Sequence, residues 1–212
     1  IYFNGKGVKQ NYLKAKECFE LAIKHGYDTG YINLAYMYKN GLGIPRDYLK
    51  AKEYYELALQ HDYYGSLFPL GNLYYEGQGV EQNYKKAKEY YKQSSDRGDT
   101  NSANRLGDMY FNGQGVKQNY SKAIKYYELS ARSDNFESLF KLGKIFLNGL
   151  GVKKDYLKAK KYFELSANKN NPDALFYLGE LYSSNEFINT DFSKAIENFQ
   201  KCIEIQKYNF SL

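Results

Sequence analysis

The chain has 212 residues, 43% of them apolar, and a formal net charge of +6. That length can bury a sizeable core, and no run approaches the roughly 18 apolar residues that a membrane span requires. Its two cysteines, Cys18 and Cys202, stand near opposite ends, and no cluster of Cys, His and acidic residues has metal-ligand spacing.

Ile1-Tyr2-Phe3 reads as the tail of a helix whose beginning lies outside the sequence. The chain is therefore expected to be a piece of a longer protein, and a signal or transit peptide is not testable from it. A loop, Gly5-Lys6-Gly7-Val8, comes next, and then a helix expected from about Tyr12 to His25. The loop returns as Tyr38…Gly41-Leu42-Gly43-Ile44, Tyr74…Gly77-Gln78-Gly79-Val80, Tyr110…Gly113-Gln114-Gly115-Val116 and Phe146…Gly149-Leu150-Gly151-Val152, at a constant step of 36 residues. A sixth copy, Tyr182…Asn185-Glu186-Phe187-Ile188, keeps the spacing and loses both glycines. Self-similarity at this period signals stacked helical hairpins with atypical end copies. One domain, 1–212, is expected: a partial repeat 1–27, then repeats 28–63, 64–99, 100–135, 136–171 and 172–207.

Each loop reads as a helix stop. The first glycine sits where a left-handed terminator belongs, and the second lets the backbone turn closely. Asp47, Asn83, Asn119, Asp155 and Asp191 then cap the second helix of each repeat, helix B. Asp99, Asn135 and Asn171 cap the first helix, helix A, and Pro172 suits a first turn. Pro69 falls inside helix A of its repeat, which should start late, near Ser66, or kink.

Helix A repeats a small residue, Leu, a small residue and an aromatic, as in Ser102, Leu106, Gly107 and Tyr110. A glycine after the Leu weakens a helix by about 1 kcal/mol relative to Ala, so its recurrence predicts another backbone too close for a side chain. On helix B, Tyr48, Ala51, Tyr55 and Ala58 share one face, and Ala fills the Ala51 column in all copies. Lys14, Lys50, Lys86, Lys122, Lys158 and Lys194 also form a column, read as a solvated outer face. Most of the 25 tyrosines fall in repeat columns, so the aromatic excess reads as packing. Stacking on this pattern sets Cys18 and Cys202 far beyond disulfide reach, which favours the cytosol without naming a compartment. The end, Tyr208-Asn209-Phe210-Ser211-Leu212, reads as frayed or loosely docked.

The unit Ala/Ser-x3-Leu-Gly-x2-Tyr-x2-Gly-x-Gly-Val, followed by Asp/Asn-Tyr-x-Lys-Ala-x2-Tyr-Tyr/Phe-x2-Ala/Ser, resembles the Sel-1-like repeat, a relative of the tetratricopeptide repeat. The resemblance covers nearly the whole chain. It implies an all-α fold, a right-handed α/α superhelix (solenoid) of 36-residue helix-loop-helix repeats with helix A lining the concave surface. It also implies work as an adaptor or scaffold in complexes and signalling, not as an enzyme.

Gly-x-Gly before a helix can cradle phosphate, but no third glycine and no Gly-Lys-Ser/Thr stands at the needed spacing. Some relatives have been described as penicillin-binding, and Ser138-Leu139-Phe140-Lys141 matches Ser-x-x-Lys. Ser138, however, occupies a column of small residues, and no Lys-Thr-Gly exists. Asp28-Thr29-Gly30 lacks the β-structure of an aspartic protease loop. His25 and His61 share a column near the end of helix B and read as exposed or helix-terminal. No nucleophile–base set assembles, and no cofactor is implied.

Binding remains. Columns that stay constant build the fold, and columns that vary are free for other work. The varying stripe of helix A runs Phe68-Asn72-Tyr75, Asn104-Asp108-Phe111, Phe140-Lys144-Leu147 and Phe176-Glu180-Ser183. Aromatics beside mixed charge suit a protein or peptide partner docked along the concave face. An alternative makes these repeats the regulatory part of a larger enzyme such as a kinase. A third reading, RNA binding, needs Lys and Arg where the stripe places Asp108 and Glu180.

Overall fold

The computed structural model describes residues 1–185 and 189–210, the last three by backbone alone. Glu186-Phe187-Ile188 of the sixth loop, and Ser211 and Leu212 of the expected frayed end, lie outside the described residues. Every regular element described is a helix. The helices form two compact units, Ile1–Gly98 and Asp99–Leu212.

The first unit contains α1 (Tyr12–Lys24), α2 (Thr29–Asn40), α3 (Tyr48–Gln60), α4 (Leu67–Glu76) and α5 (Tyr84–Asp96). The second contains α6 (Thr100–Asn112), α7 (Tyr120–Ala131), α8 (Phe136–Asn148), α9 (Tyr156–Ala167), α10 (Pro172–Ser183) and α11 (Phe192–Phe210). Helix A is α2, α4, α6, α8 or α10, and each packs most extensively on the helix B that follows it. Pro69 acts as expected: a 3-10 turn at Tyr64–Ser66 precedes α4, which begins at Leu67.

Local chemistry sets the boundaries. Asn11, Asp47, Asn83, Asn119, Asp155 and Asp191 each accept the amide three residues on, at 2.8–3.1 Å. Asp99, Asn135 and Asn171 do the same for α6, α8 and α10. Each such cap satisfies an amide that the helix leaves unpaired, worth about 1 kcal/mol. Gly113 ends α6 at φ +72°, its N–H bonded to the Met109 carbonyl. The second glycine has a further reason that the sequence reading missed. A Cβ on Gly151 would lie 2.5 Å from Cβ of Tyr120, at the start of the preceding repeat's helix B. The loop thus closes directly on the neighbouring repeat.

The glycine inside helix A requires a correction. Its nearest neighbour is a side-chain ring, not a backbone. A Cβ on Gly107 would fall 2.5 Å from ring atoms of Tyr127, and Gly71, Gly143 and Gly179 face Tyr91, Phe163 and Phe199 in the same way. The large ring of helix B seats itself on the bare helix A of its own hairpin. Tyr91, Tyr127 and Phe163 are consequently among the largest fully buried side chains, beside Leu70, Leu106 and Leu142. Burying each such side chain contributes roughly 1.5–3 kcal/mol. The Ala51 column packs underneath, buried in all six copies.

Candidate functional site

The helix-A stripe is half structural. In the first unit Phe68 and Tyr75 are half-buried and lie against the Tyr91 ring, at 5.9 and 6.2 Å. Asn72, between them, is buried and accepts the Tyr91 hydroxyl at 2.7 Å. In the second unit Phe111 meets Tyr120 edge-on at 5.3 Å, and Asp108 accepts the Tyr127 hydroxyl at 2.7 Å. Where the opposing ring is Phe163 or Phe199 and has no hydroxyl, the stripe carries Lys144 or Glu180 instead.

A second set of contacts comes from the next helix A. Lys141 Nζ lies 2.7 Å from Asp108 Oδ1 and 3.2 Å from Asn104 Oδ1. Asn104 is buried, donates to Glu137 Oε2 at 3.1 Å and accepts from Ser138 Oγ at 3.0 Å. Ser138 is therefore a fully buried member of a helix–helix network, without access for a substrate. Tyr177, in the Lys141 column, stacks on Phe163 at 5.2 Å and meets Phe140 edge-on at 5.6 Å. The sequence reading did not single out this column; its signal is a position one residue past the start of each stripe.

Of the stripe residues on α4, α6, α8 and α10, the open ones are concentrated on α8 and α10; Tyr36, in the Asn72 column on α2, is exposed as well. Lys144 lies 5.8 Å from the centres of both the Phe140 and Tyr177 rings. Neither it nor the exposed Glu180 has an ion-pair partner among the described residues. Phe176 is 46% exposed, and Leu147 is half-buried.

The column lysines of helix B are not simply solvated. Each places its ammonium over an aromatic at the end of helix A: Lys50 over Tyr38, Lys86 over Tyr74, Lys122 over Tyr110 and Lys158 over Phe146, at 4.7–5.4 Å. His61 caps α3, stacks on Tyr31 and places Nδ1 3.0 Å from Asp28 Oδ1. Among the described residues no group of three His, Cys, Asp or Glu is placed to hold a metal ion, and no helix is long and apolar enough to cross a membrane.

A model of the Sel1 repeat matches residues 1–27, 29–63, 66–99, 100–135, 136–171 and 172–203. The chain belongs to the Sel1 repeat family. Among solved structures, c5321, a protective antigen of uropathogenic Escherichia coli with an SLR fold, is similar at 34% identity and a TM-score of 0.85. That match covers 96% of this chain and 44% of the antigen, so the chain spans less than half of that protein's length. A Sel1 repeat protein from Oxalobacter formigenes is similar at 25% identity and a TM-score of 0.84, over 96% of this chain and 83% of that one. The immunity protein Pa5087 of Pseudomonas aeruginosa, at 17% identity, a TM-score of 0.56 and coverage of 93% and 76%, shares the fold. No curated protein sequence matches the chain. Sel1 repeats are in general non-catalytic, protein-interacting scaffolds.

Proposed function

We propose that this Sel1 repeat chain is a non-catalytic adaptor that binds a protein or peptide along the helix-A face of its repeats. The observation that carries the reading is the grouping, on helix A of the second unit, of an exposed aromatic with two opposite charges that have no partner among the described residues. The column lysines of helix B, Lys122 and Lys158, lie over neighbouring rings, and helix A leaves Phe176 exposed on the stripe that carries Lys144 and Glu180. Exposed aromatics flanked by polar groups are the usual anchors of an interface. The carboxylates on the stripe, Asp108 and Glu180, oppose a phosphate backbone and favour a polypeptide over RNA.

The test is capture of partners from the native organism by the parent chain, by Phe176→Ala and by Lys50→Glu/Lys158→Glu, with the fold of each checked by circular dichroism. Loss of an aromatic anchor corresponds to roughly 2 kcal/mol, about 30-fold in affinity. Phe176 is chosen because it is exposed whereas Phe68 and Phe111 are half-buried; its ring still lies 5.7 Å from Phe199 of helix B, which is why the fold of the variant is checked. Partners kept by Phe176→Ala and lost by the lysine variant would move the working surface to helix B.

A further inference from the structure

Resting on that reading, we infer that the helix-A face of α8 and α10 recognises an extended peptide carrying an acidic residue and, about three residues away, a basic one. Lys144 is the seat for the acid. Lys144 is half-buried, and its ammonium lies 5.8 Å from the centres of the Phe140 and Tyr177 rings, which hold a cation in place without neutralising it. The lysine one turn earlier, Lys141, shows the other arrangement: it is paired with Asp108 and lies within 4.0 Å of Glu137. Lys144 therefore presents a positive charge, placed against two rings, that no carboxylate among the described residues matches.

Glu180 is the seat for the base. It occupies the same repeat column on the next helix A, is exposed, and likewise lacks a cation partner among the described residues. α8 and α10 meet through the Phe140 and Tyr177 rings, edge-on at 5.6 Å, and helices in such side-chain contact lie on the order of 10 Å apart. An extended chain advances roughly 3.3 Å per residue, so one helix-to-helix step spans about three residues. Phe176, one turn before Glu180 on α10 and edge-on to Tyr177, offers an exposed ring to an apolar side chain between the two charges. The opposite signs at the two seats also fix the direction in which the peptide lies.

The experiment is selection of a phage-displayed random peptide library on the immobilised full chain, with the parent, Lys144→Met, Lys144→Glu/Glu180→Lys and Phe176→Ala compared after a circular dichroism check. The parent is expected to enrich Asp or Glu two to four residues from Lys or Arg, in one order. The charge-swapped variant is expected to enrich the reverse order. A peptide chosen on the parent should bind Lys144→Met about tenfold more weakly. Peptides without the paired charges, or the same peptides on parent and swapped chain, overturn this inference; the adaptor reading survives if Phe176→Ala still abolishes their binding. A library that yields no binders, or binders indifferent to Phe176→Ala, overturns both.

Discussion

Tyr127 and Asp108 are joined by a 2.7 Å hydrogen bond that links helix B to helix A within one hairpin, and Lys141 places its ammonium on the same carboxylate oxygen. Three groups of limited exposure thus satisfy one another. Asp108→Ala removes the carboxylate that accepts both the buried hydroxyl and the ammonium, leaving Lys141 with its longer bond to Asn104. Unsatisfied groups of this kind destabilise by roughly 2–3 kcal/mol, and charge-assisted bonds lie at the upper end. Urea denaturation should show that loss for Asp108→Ala. Asp108→Leu/Tyr127→Phe should recover part of it, because Phe163 already fills the Tyr127 column in the next repeat. Equal stability of Asp108→Ala and parent would mean that the network contributes nothing.

This pair also shows why the fold is more legible than the site. Helix stops and caps depend on chemistry within a few residues, so Gly113, Asn119 and Asp155 announce their roles through spacing alone. The stripe depends on partners 19 and 33 residues away. Asn72 and Asp108 each accept the hydroxyl of an opposing Tyr, and Lys144 and Glu180 stand where the opposing ring is Phe, so these positions vary while still being constrained. A varying column looks like a free column, yet compensated pairs vary as well. The helix-A glycine misleads for a related reason: a missing side chain signals a close neighbour, but not whether that neighbour is a backbone or a ring.

The first glycine of one loop, Gly113, and the second glycine of the next, Gly151, should differ in sensitivity. Gly113, at φ +72°, would bring a new Cβ no closer than 3.4 Å to its neighbours, so Gly113→Ala adds mainly backbone strain, about 1 kcal/mol. Gly151, at φ +69°, would in addition drive its Cβ to 2.5 Å from Tyr120. Gly151→Ala should therefore lose more, roughly 2–4 kcal/mol in all. Thermal melts of the two variants rank them, and the reverse order would show that the second glycine has room to spare.

Alkali should weaken the first unit through Tyr55. Burial pushes its pKa up from the ordinary value near 10 to about 12. Below pH 10 the phenol is protonated in folded and unfolded chains alike, and its contribution to stability is fully present. Between about pH 10 and 12 the unfolded phenol ionises while the folded one resists, so stability falls as pH rises, by on the order of 2 kcal/mol. Phe occupies the same column at Phe163, so Tyr55→Phe should fold normally. Its stability at neutral pH should match the parent, and its stability curve should decline less steeply above pH 10. Parallel curves would place the alkaline sensitivity elsewhere.

The lysine column should contribute to stability more than its exposure suggests. Lys122 sits 5.1 Å from the centre of the Tyr110 ring, whose plane is stacked within 5° of Tyr126 at 5.6 Å. The same triplet recurs as Lys86, Tyr74 and Tyr90, and as Lys158, Phe146 and Tyr162. An ammonium over an aromatic face contributes about 0.5–1 kcal/mol at an exposed site. Lys122→Met keeps the aliphatic stem and removes only the charge, so it isolates that contribution from packing. The expected loss is about 0.5 kcal/mol or more, against little change for Lys125→Met on the exposed side of the same helix. A double-mutant cycle with Tyr110→Leu separates ring attraction from the general effect of lowering net charge, since only the former vanishes once the ring is gone. If Lys122→Met is equally costly in the Tyr110→Leu background, the lysine acts through long-range charge, and the column is a solvated face after all.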